Sequence, residues 1–151
     1  MAFRFCVPKV DTPEEYQEID AFLSSEESRL GLVKGHFKLI PQIESTLSLV
    51  NAKDIFKADF DKKSQRRIIA AAFGADDFTA DFEVYRSDTD KELDFARKLF
   101  AVTCHAYGVV SIDTPYVQYK NLTGLREELT YLKSIGMKAK FAIHPVNIKI
   151  T

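Results

Sequence analysis

Two adjacent carboxylates follow an apolar segment near the middle of the chain. Asp76 and Asp77 come soon after the run 68–73, whose residues are typical of a buried strand. In an α/β protein, ligands bind at the edge formed by the carboxyl ends of parallel strands, so an acidic pair at this point is a candidate metal site. Carboxylates also cap helices or occupy their first turn, and residue type alone leaves that alternative open.

Four other apolar runs end in a charged or titratable side chain. These end groups are Lys9, Glu44, Asp113 and His144. If the runs are parallel strands, all of the end groups face one common mouth. Lys9 would then point toward an anionic substrate, with a solvated lysine before a turn as the alternative. We expect His144 to be held by a backbone hydrogen bond rather than to act as a general base.

Segments with helical periodicity lie between these runs. The predicted strands cover residues 3–7, 37–43, 68–73, 109–112 and 140–143, and the predicted helices cover about 12–28, 47–56, 89–107 and 123–135. A polar loop is expected between the third strand and the third helix. Because parallel strands need crossover connections, this alternation predicts an α/β fold with a parallel sheet covered by helices.

Two architectures fit this alternation. The length of 151 residues favours a small doubly wound sheet, since a complete (β/α)8 barrel typically needs about 250 residues and would be present only in part. The order of the end groups favours the barrel, because a receiver-type doubly wound protein presents its acidic pair early and its lysine after the last strand. No Gly-x-Gly-x-x-Gly or Gly-x-x-x-x-Gly-Lys-Ser/Thr motif follows a predicted strand, which argues against nucleotide binding.

Composition and charge exclude several kinds of partner. The formal net charge is −1 and the basic residues are scattered, so we expect no nucleic-acid partner. No apolar stretch approaches the roughly 20 residues of a membrane span, and the amino terminus carries no targeting pattern. We therefore expect no membrane contact and a cytoplasmic location, with the mitochondrial matrix as the alternative.

Two further expectations concern cysteines and an arginine. Cys6 and Cys104 are expected to be buried reduced thiols, because their spacing suits neither a metal site nor a disulfide framework. Arg97 is expected to pair with an acid such as Asp81 or Asp94 rather than to bind substrate.

A series of short motifs runs in order along nearly the whole chain. They are Val7–Val10, Ile40–Ser45, Phe73–Phe78, Ala96–Arg97, Ile112–Tyr116, Gly124–Leu125 and Ala142–Pro145. Together they resemble the citrate lyase beta-subunit-like and malyl-CoA lyase-like proteins of the HpcH/HpaI aldolase/citrate lyase family. Proteins of that family are magnesium-dependent barrels that cleave or form carbon–carbon bonds in acyl-CoA substrates.

The resemblance implies a partial TIM (β/α)8 barrel, with about five parallel strands alternating with four helices. Residues 1–151 would form a single domain that corresponds to barrel strands four to eight. The first three strands and the carboxy-terminal segment that covers the site would have no counterpart. Because an opened barrel leaves strand edges and an apolar interior exposed, we expect a homo-oligomer or a complementary amino-terminal half as partner.

The resemblance also assigns roles to the strand-end groups. Glu44 and Asp77 would be the Mg²⁺ ligands, and Asp76 would support them by bracing the loop or orienting the ligands. Asp113 and Lys9 would be the catalytic residues, Asp113 by holding metal-bound water or a substrate group and Lys9 by facing the anionic substrate.

The implied activity is a Mg²⁺-dependent carbon–carbon lyase. It would cleave a 3-hydroxy-3-carboxy acyl-CoA such as citramalyl-CoA, malyl-CoA or citryl-CoA into a small keto acid and an acyl-CoA, or catalyse the reverse condensation. Two alternatives remain open from the sequence. One is a catalytically inactive truncated homologue that acts as an assembly partner or remnant, and the other is a small doubly wound domain that binds an anion.

Overall fold

Strands and helices alternate along the part of the chain that the computed structural model describes, residues 3–148. The strands are β1 (Arg4–Val7), β2 (Lys38–Ile43), β3 (Ala70–Phe73), β4 (Val110–Asp113) and β5 (Ala139–Lys140). The α-helices are α1 (Pro13–Arg29), α2 (Thr46–Phe60), α3 (Ala75–Asp81), α4 (Asp94–Ala106), α5 (Leu122–Ser134) and α6 (Pro145–Ile148). The ends of the predicted domain, residues 1–2 and 149–151, lie outside this range.

The described strands form one parallel sheet in which spatial order equals chain order. Each strand pairs with the next one along the chain, from β1 to β5. A flavodoxin-type sheet would instead reverse direction after its first strand and place its second strand at an edge. Sequential parallel order is the arrangement of a (β/α)8 barrel wall, so the structure confirms the partial barrel and excludes the doubly wound alternative.

Alternating side chains of each strand face the helices. Leu39 and Ile43 of β2 belong to the apolar core against the helices, whereas Gln42 between them lies on the other face of the sheet. The core is dominated by aliphatic and aromatic side chains from strands and helices, among them Ile43, Ile55, Phe56, Phe73, Leu93 and Phe100. Among the described residues, no helix combines the length and apolar character that a bilayer crossing requires.

Side-chain caps begin the helices soon after the strand ends. Thr12 accepts a hydrogen bond from the Glu15 N–H, and the Glu15 carboxylate accepts one from the Thr12 N–H. Ser45 and Ser48 form the corresponding reciprocal pair at the start of α2. Such capping boxes satisfy N–H groups that a helix leaves unpaired, and they fix the short turns that lead away from the sheet edge.

Three predicted elements differ from the observed ones. The polar loop expected after β3 contains a short helix, α3, which begins one residue after Gly74. The third long helix starts at Asp94 rather than near residue 89, because a 3₁₀ turn at Lys91–Leu93 precedes it. The last strand is Ala139–Lys140, shorter and earlier than predicted, and residues 141–143 continue without strand pairing.

The prediction of two buried thiols is half correct. Both cysteines are free, and Cys104 is fully buried in α4. Cys6 is exposed, because β1 is an edge strand and Cys6 lies opposite Ile40 on the sheet face away from the helices.

A buried arginine joins α1 to the amino-terminal end of β3. The guanidinium of Arg67 donates to Glu27 at 2.6 and 2.8 Å and to Asp20 at 2.6 Å, and the Arg67 side chain is completely buried. The Glu27 carboxylate also accepts hydrogen bonds from the N–H groups of Gly35 and Phe37. Burial opposes ionisation of Glu27, but these hydrogen bonds outweigh it and lower the pKa of Glu27 from 4.5 to about 2.

We predict that Glu27→Gln destabilises the protein in a pH-dependent way. A folded-state pKa below the unfolded one adds stability that is present above pH 4.5 and is lost as the pH falls toward 2. The variant should therefore lose about 3 kcal/mol of unfolding free energy at pH 7, by urea denaturation, and the difference should shrink near pH 2.

The neighbouring Glu26→Gln is the matched control. Glu26 pairs with Arg29 on the surface of α1, and exposed pairs contribute little to stability. Equal losses for the two variants at pH 7 would show that the buried cluster does not stabilise the fold.

Candidate metal and substrate site

The carboxyl ends of β2 to β5 surround a cavity of about 210 Å³. Its lining residues come from four strand ends and the first turn of α3: Gln42, Glu44, Ala72, Phe73, Gly74, Ala75, Asp76, Asp77, Thr114, Pro115 and Phe141. The structure thus brings two predicted metal ligands, Glu44 and Asp77, to one cavity together with Asp76. This is the edge at which parallel α/β sheets bind ligands.

Glu44 is held in place by one hydrogen bond to its backbone and one to its side chain. Its N–H donates to Ser48 Oγ at 3.1 Å, and its Oε1 accepts a hydrogen bond from the Lys9 N–H at 2.9 Å. Glu44 is 6% exposed, and among the described residues its second oxygen, Oε2, accepts no hydrogen bond. Burial raises the pKa of Glu44, and repulsion from Asp77 adds to that rise.

Gly74 makes close contact between β3 and Glu44 possible. A Cβ atom at position 74 would lie 2.6 Å from Glu44 Cβ and 2.9 Å from Glu44 Oε2. The Gly74 N–H also donates to the carbonyl of Ile43 at 3.0 Å, which ties the ends of β2 and β3 together. Only a residue without a side chain fits here, so Gly74 brings the start of α3 against the Glu44 carboxylate.

The adjacent aspartates of α3 have different surroundings. Asp77 lies in the first turn of α3, and its carboxylate makes no hydrogen bond or ion pair with the residues in the described range. Asp76 forms an ion pair with Arg86 Nη1 at 2.5 Å while its side chain remains 70% exposed. Asp77 is therefore free to take a ligand, whereas Asp76 is already engaged in bracing the loop that follows α3.

The donor set at this cavity suits Mg²⁺. Glu44 Oε2 and the Asp77 carboxylate are hard oxygen donors without hydrogen-bond partners in the described part of the chain, and Mg²⁺ is bound through one or two carboxylates plus water and substrate oxygens. Within residues 3–148, no three His, Cys, Asp or Glu side chains cluster as a metal site. Two carboxylates beside open volume fit a cation that keeps several water or substrate ligands, rather than an all-protein site such as that of structural zinc.

Lys9 supports Glu44 through its backbone. It adopts a left-handed conformation with φ of 52°, which is unfavourable for a residue with a side chain. That conformation accompanies the hydrogen bond from its N–H to Glu44, and the positive charge of Lys9 opposes the rise in the pKa of Glu44. His144 lies outside the cavity lining, in an exposed segment, where its ring stacks on Tyr119 at 4.7 Å.

Asp113 sits in a buried ion-pair cluster rather than in the cavity lining. Its carboxylate accepts hydrogen bonds from Arg97 Nε at 2.9 Å and Lys140 Nζ at 2.7 Å, and it is completely buried. Arg97 also contacts Asp90 and Glu128, so its predicted pairing with Asp81 or Asp94 is wrong in its partners. The sequence could not indicate these partners, because they come from three different elements.

Sequence reasoning missed several lining residues, namely Gln42, Thr114 and Phe141. Gln42 stands two residues before Glu44, so strand alternation was an available signal for it. Thr114 directly follows Asp113, and the sequence pattern pointed to the carboxylate of Asp113 rather than to the hydroxyl of Thr114. Phe141 lies beyond the observed end of β5, in a region that the sequence assigned to the strand itself.

Comparison with known proteins identifies relatives over nearly the whole chain. A family model described as HpcH/HpaI aldolase/citrate lyase matches residues 2–145. The citrate lyase subunit beta of Leuconostoc mesenteroides subsp. cremoris is 28% identical over 144 residues, covering 95% of this chain and 46% of that protein. The mitochondrial citramalyl-CoA lyase of Rattus norvegicus is 28% identical over 147 residues, covering 95% of this chain and 43% of that protein. The chain thus spans just under half the length of both relatives.

A solved structure agrees with the barrel architecture. The citrate lyase beta subunit of M. tuberculosis, complexed with oxaloacetate and magnesium, superimposes with a TM-score of 0.75 at 18% identity. The match covers 97% of this chain and 58% of that structure. At this level of identity the likeness concerns the fold alone.

We predict that Gly74→Ala disrupts the contact between the ends of β2 and β3. The Gly74 φ of −97° is accessible to alanine, so the cost should arise from the contact with Glu44 and not from the backbone. Overpacking of this kind should lower the unfolding free energy by about 1–3 kcal/mol in urea denaturation.

A double-mutant cycle with Glu44→Gly supplies the control. Removing the Glu44 side chain also removes both atoms that an alanine Cβ would meet, so Gly74→Ala should cost much less in that background. An unchanged cost would locate the strain elsewhere.

Proposed function

The chain belongs to the HpcH/HpaI aldolase/citrate lyase family, and from that premise we propose that it provides the metal-binding half of a Mg²⁺-dependent carbon–carbon lyase. The observation that carries this proposal is the pairing of Glu44 and Asp77 at one cavity, each with carboxylate oxygen that no described residue occupies. The substrate class would be a 3-hydroxy-3-carboxy acyl-CoA such as citramalyl-CoA, malyl-CoA or citryl-CoA. The names of the relatives, citrate lyase and citramalyl-CoA lyase, support this class.

The proposed reaction removes the proton of the substrate hydroxyl and breaks the bond between the hydroxyl-bearing carbon and the acyl-CoA carbon. The products are a keto acid, such as oxaloacetate, pyruvate or glyoxylate, and an acyl-CoA enolate that takes up a proton. Mg²⁺ bound by Glu44 and Asp77 would act as a Lewis acid for the developing charge on substrate oxygens. The magnesium in the M. tuberculosis structure supports this choice of metal.

The residues around the two carboxylates position them. The Lys9 N–H fixes Glu44 Oε1, which leaves Oε2 for a ligand, and the Lys9 ammonium would attract an anionic substrate. Asp76, through its ion pair with Arg86, would hold the first turn of α3 in place. Asp113 would act indirectly, by positioning Lys140. The Lys140 ammonium donates both to Asp113 and, at 2.6 Å, to the carbonyl of Thr114 in the cavity wall.

The rest of the active site would come from outside residues 1–151. This stretch spans 46% and 43% of the two relatives, and among the described residues the edge strands β1 and β5 each pair on one side only. Such edges pair readily with further strands. We therefore propose that the acting assembly is a homo-oligomer or a complex with a complementary amino-terminal half.

A second candidate function is that of an assembly partner without turnover of its own. The observation that favours it is the state of Asp113, which the family resemblance places in catalysis. Both of its oxygens are occupied by Arg97 and Lys140, and it has no exposed surface. In this case the cluster would stabilise the barrel wall and the cavity would serve no reaction.

We predict that Mg²⁺ binding depends on both proposed ligands. Isothermal titration with Mg²⁺ should show binding to the wild type and about tenfold or greater loss of affinity in Glu44→Gln and in Asp77→Asn, because each variant removes one anionic oxygen donor. Asp76→Asn should have a smaller effect than either. Asp54→Asn, on the exposed side of α2, should change nothing. If Glu44→Gln and Asp77→Asn bind Mg²⁺ like the wild type, the metal assignment is wrong.

We predict lyase activity only in the completed assembly. Cleavage of citramalyl-CoA and malyl-CoA should be assayed with the chain alone and with the segment of a full-length relative that this chain does not match. Turnover should require both parts and Mg²⁺, and it should be lost in Glu44→Gln. Absence of turnover in every combination would favour the assembly-partner function.

A further inference from the structure

Thr114 is a buried threonine in the wall of the cavity. It is 2% exposed, and its Oγ1 makes no hydrogen bond with the part of the chain that the structure describes. The other buried threonine, Thr79, donates its hydroxyl to the carbonyls of Ala75 and Asp76 at 2.9 and 3.1 Å. The Thr114 hydroxyl is not a fully enclosed polar atom, so it is open to the cavity that Thr114 lines, where water or a ligand can be its hydrogen-bond partner.

Thr114 lies in the same cavity wall as the proposed metal ligands. It directly follows β4 and lines the same cavity as Glu44 and Asp77. The strand β4 pairs with β3, and α3 begins just after β3. Thr114, at the end of β4, therefore lies beside the start of α3.

The backbone of Thr114 is fixed on both sides. Lys140 Nζ donates to its carbonyl at 2.6 Å and also to Asp113, the preceding residue. Pro115 follows and restricts Thr114 to extended conformations, and a β-branched side chain has few accessible rotamers. The hydroxyl is therefore preorganised, which is what a residue that orients a small substrate requires.

The charges around the cavity indicate what Thr114 could bind. No lysine or arginine is among the lining residues, and three of them are carboxylates: Glu44, Asp76 and Asp77. A bound anion needs hydrogen-bond donors on the wall away from these acids. Two lining side chains carry donors, Gln42 and Thr114. Of these two, Thr114 is the one whose backbone carbonyl is held by Lys140, and we therefore assign the donor role to Thr114.

We propose that the Thr114 hydroxyl donates a hydrogen bond to the carboxylate of a small 2-keto acid, so that Thr114 helps to determine which acid binds. This rests on the proposed function, because a Mg²⁺ ion held by Glu44 and Asp77 would offset the negative charge of the cavity. The cavity volume of about 210 Å³ is smaller than the roughly 300–1,000 Å³ of pockets for drug-sized ligands. It suits an acid of a few carbons and leaves the CoA portion outside.

The test is pyruvate binding by isothermal titration, with and without Mg²⁺, to the wild type, Thr114→Val and Thr114→Ser. Valine keeps the shape of threonine but removes the donor, so affinity for pyruvate in the presence of Mg²⁺ should fall about tenfold or more. Serine keeps the donor and should retain most of the affinity. The Mg²⁺ affinity should be the same in all three proteins, because Thr114 is not a metal ligand in this scheme.

Thermal unfolding separates a binding role from a structural one. A hydroxyl that bonds no protein group contributes nothing to folding, so Thr114→Val should unfold at the wild-type temperature or above it. If Thr114→Val does not fold, Thr114→Ala replaces it in the titrations.

The outcomes distinguish this proposal from the metal assignment. Pyruvate affinity equal in Thr114→Val and wild type, or no pyruvate binding to any of the proteins, overturns the role of Thr114. A parallel loss of Mg²⁺ affinity in Thr114→Val also overturns it, since the hydroxyl would then act on the metal. A different result would separate the two assignments. If the wild type does not bind Mg²⁺ but binds pyruvate in a way that depends on Thr114, the metal assignment is overturned and the role of Thr114 is supported.

Discussion

Parallel pairing of consecutive strands is the constraint on which the rest of the structure depends. Because each of the five strands runs in the same direction beside the next, every carboxyl end lies at one edge of the sheet and every amino end at the other. The loops that follow Val7, Ile43, Phe73 and Asp113 are thereby brought together although they are far apart in the chain. A cavity with donors from separate segments follows directly from this geometry.

The two edges of the sheet carry different kinds of buried charge. At the amino ends, Arg67 is fully neutralised by Glu27 and Asp20, and the cluster leaves no open coordination position. At the carboxyl ends, Lys140 and Asp113 neutralise each other behind the wall, while Glu44 faces the cavity with one oxygen unpaired. The first arrangement stabilises the fold, and the second combines a rigid wall with a carboxylate that faces the cavity at the carboxyl edge, where barrels carry their functional residues.

Two features of the cavity wall oppose folding. Burial and repulsion from Asp77 raise the pKa of Glu44, so its ionised form is less favourable in the folded chain than in solution. Lys9 adopts a left-handed backbone conformation to direct its N–H at the same carboxylate. Strain and unbalanced charge confined to one place are typical of functional sites, where local rules are broken for the sake of a ligand.

The sequence by itself determined the alternation of strands and helices, the positions of most elements and the acids at the ends of the second and third strands, because apolar periodicity and turn chemistry are local properties. Tertiary structure alone decided that Asp77 has no partner among the described residues while Asp76 is paired, and that Asp113 is enclosed by Arg97 and Lys140. It also decided that Gly74 must lack a side chain because Glu44 lies against it, and that the Thr114 hydroxyl lines the cavity and bonds to none of residues 3–148. These properties depend on contacts between segments remote in sequence, and such contacts exist only once the sheet has brought the strand ends together.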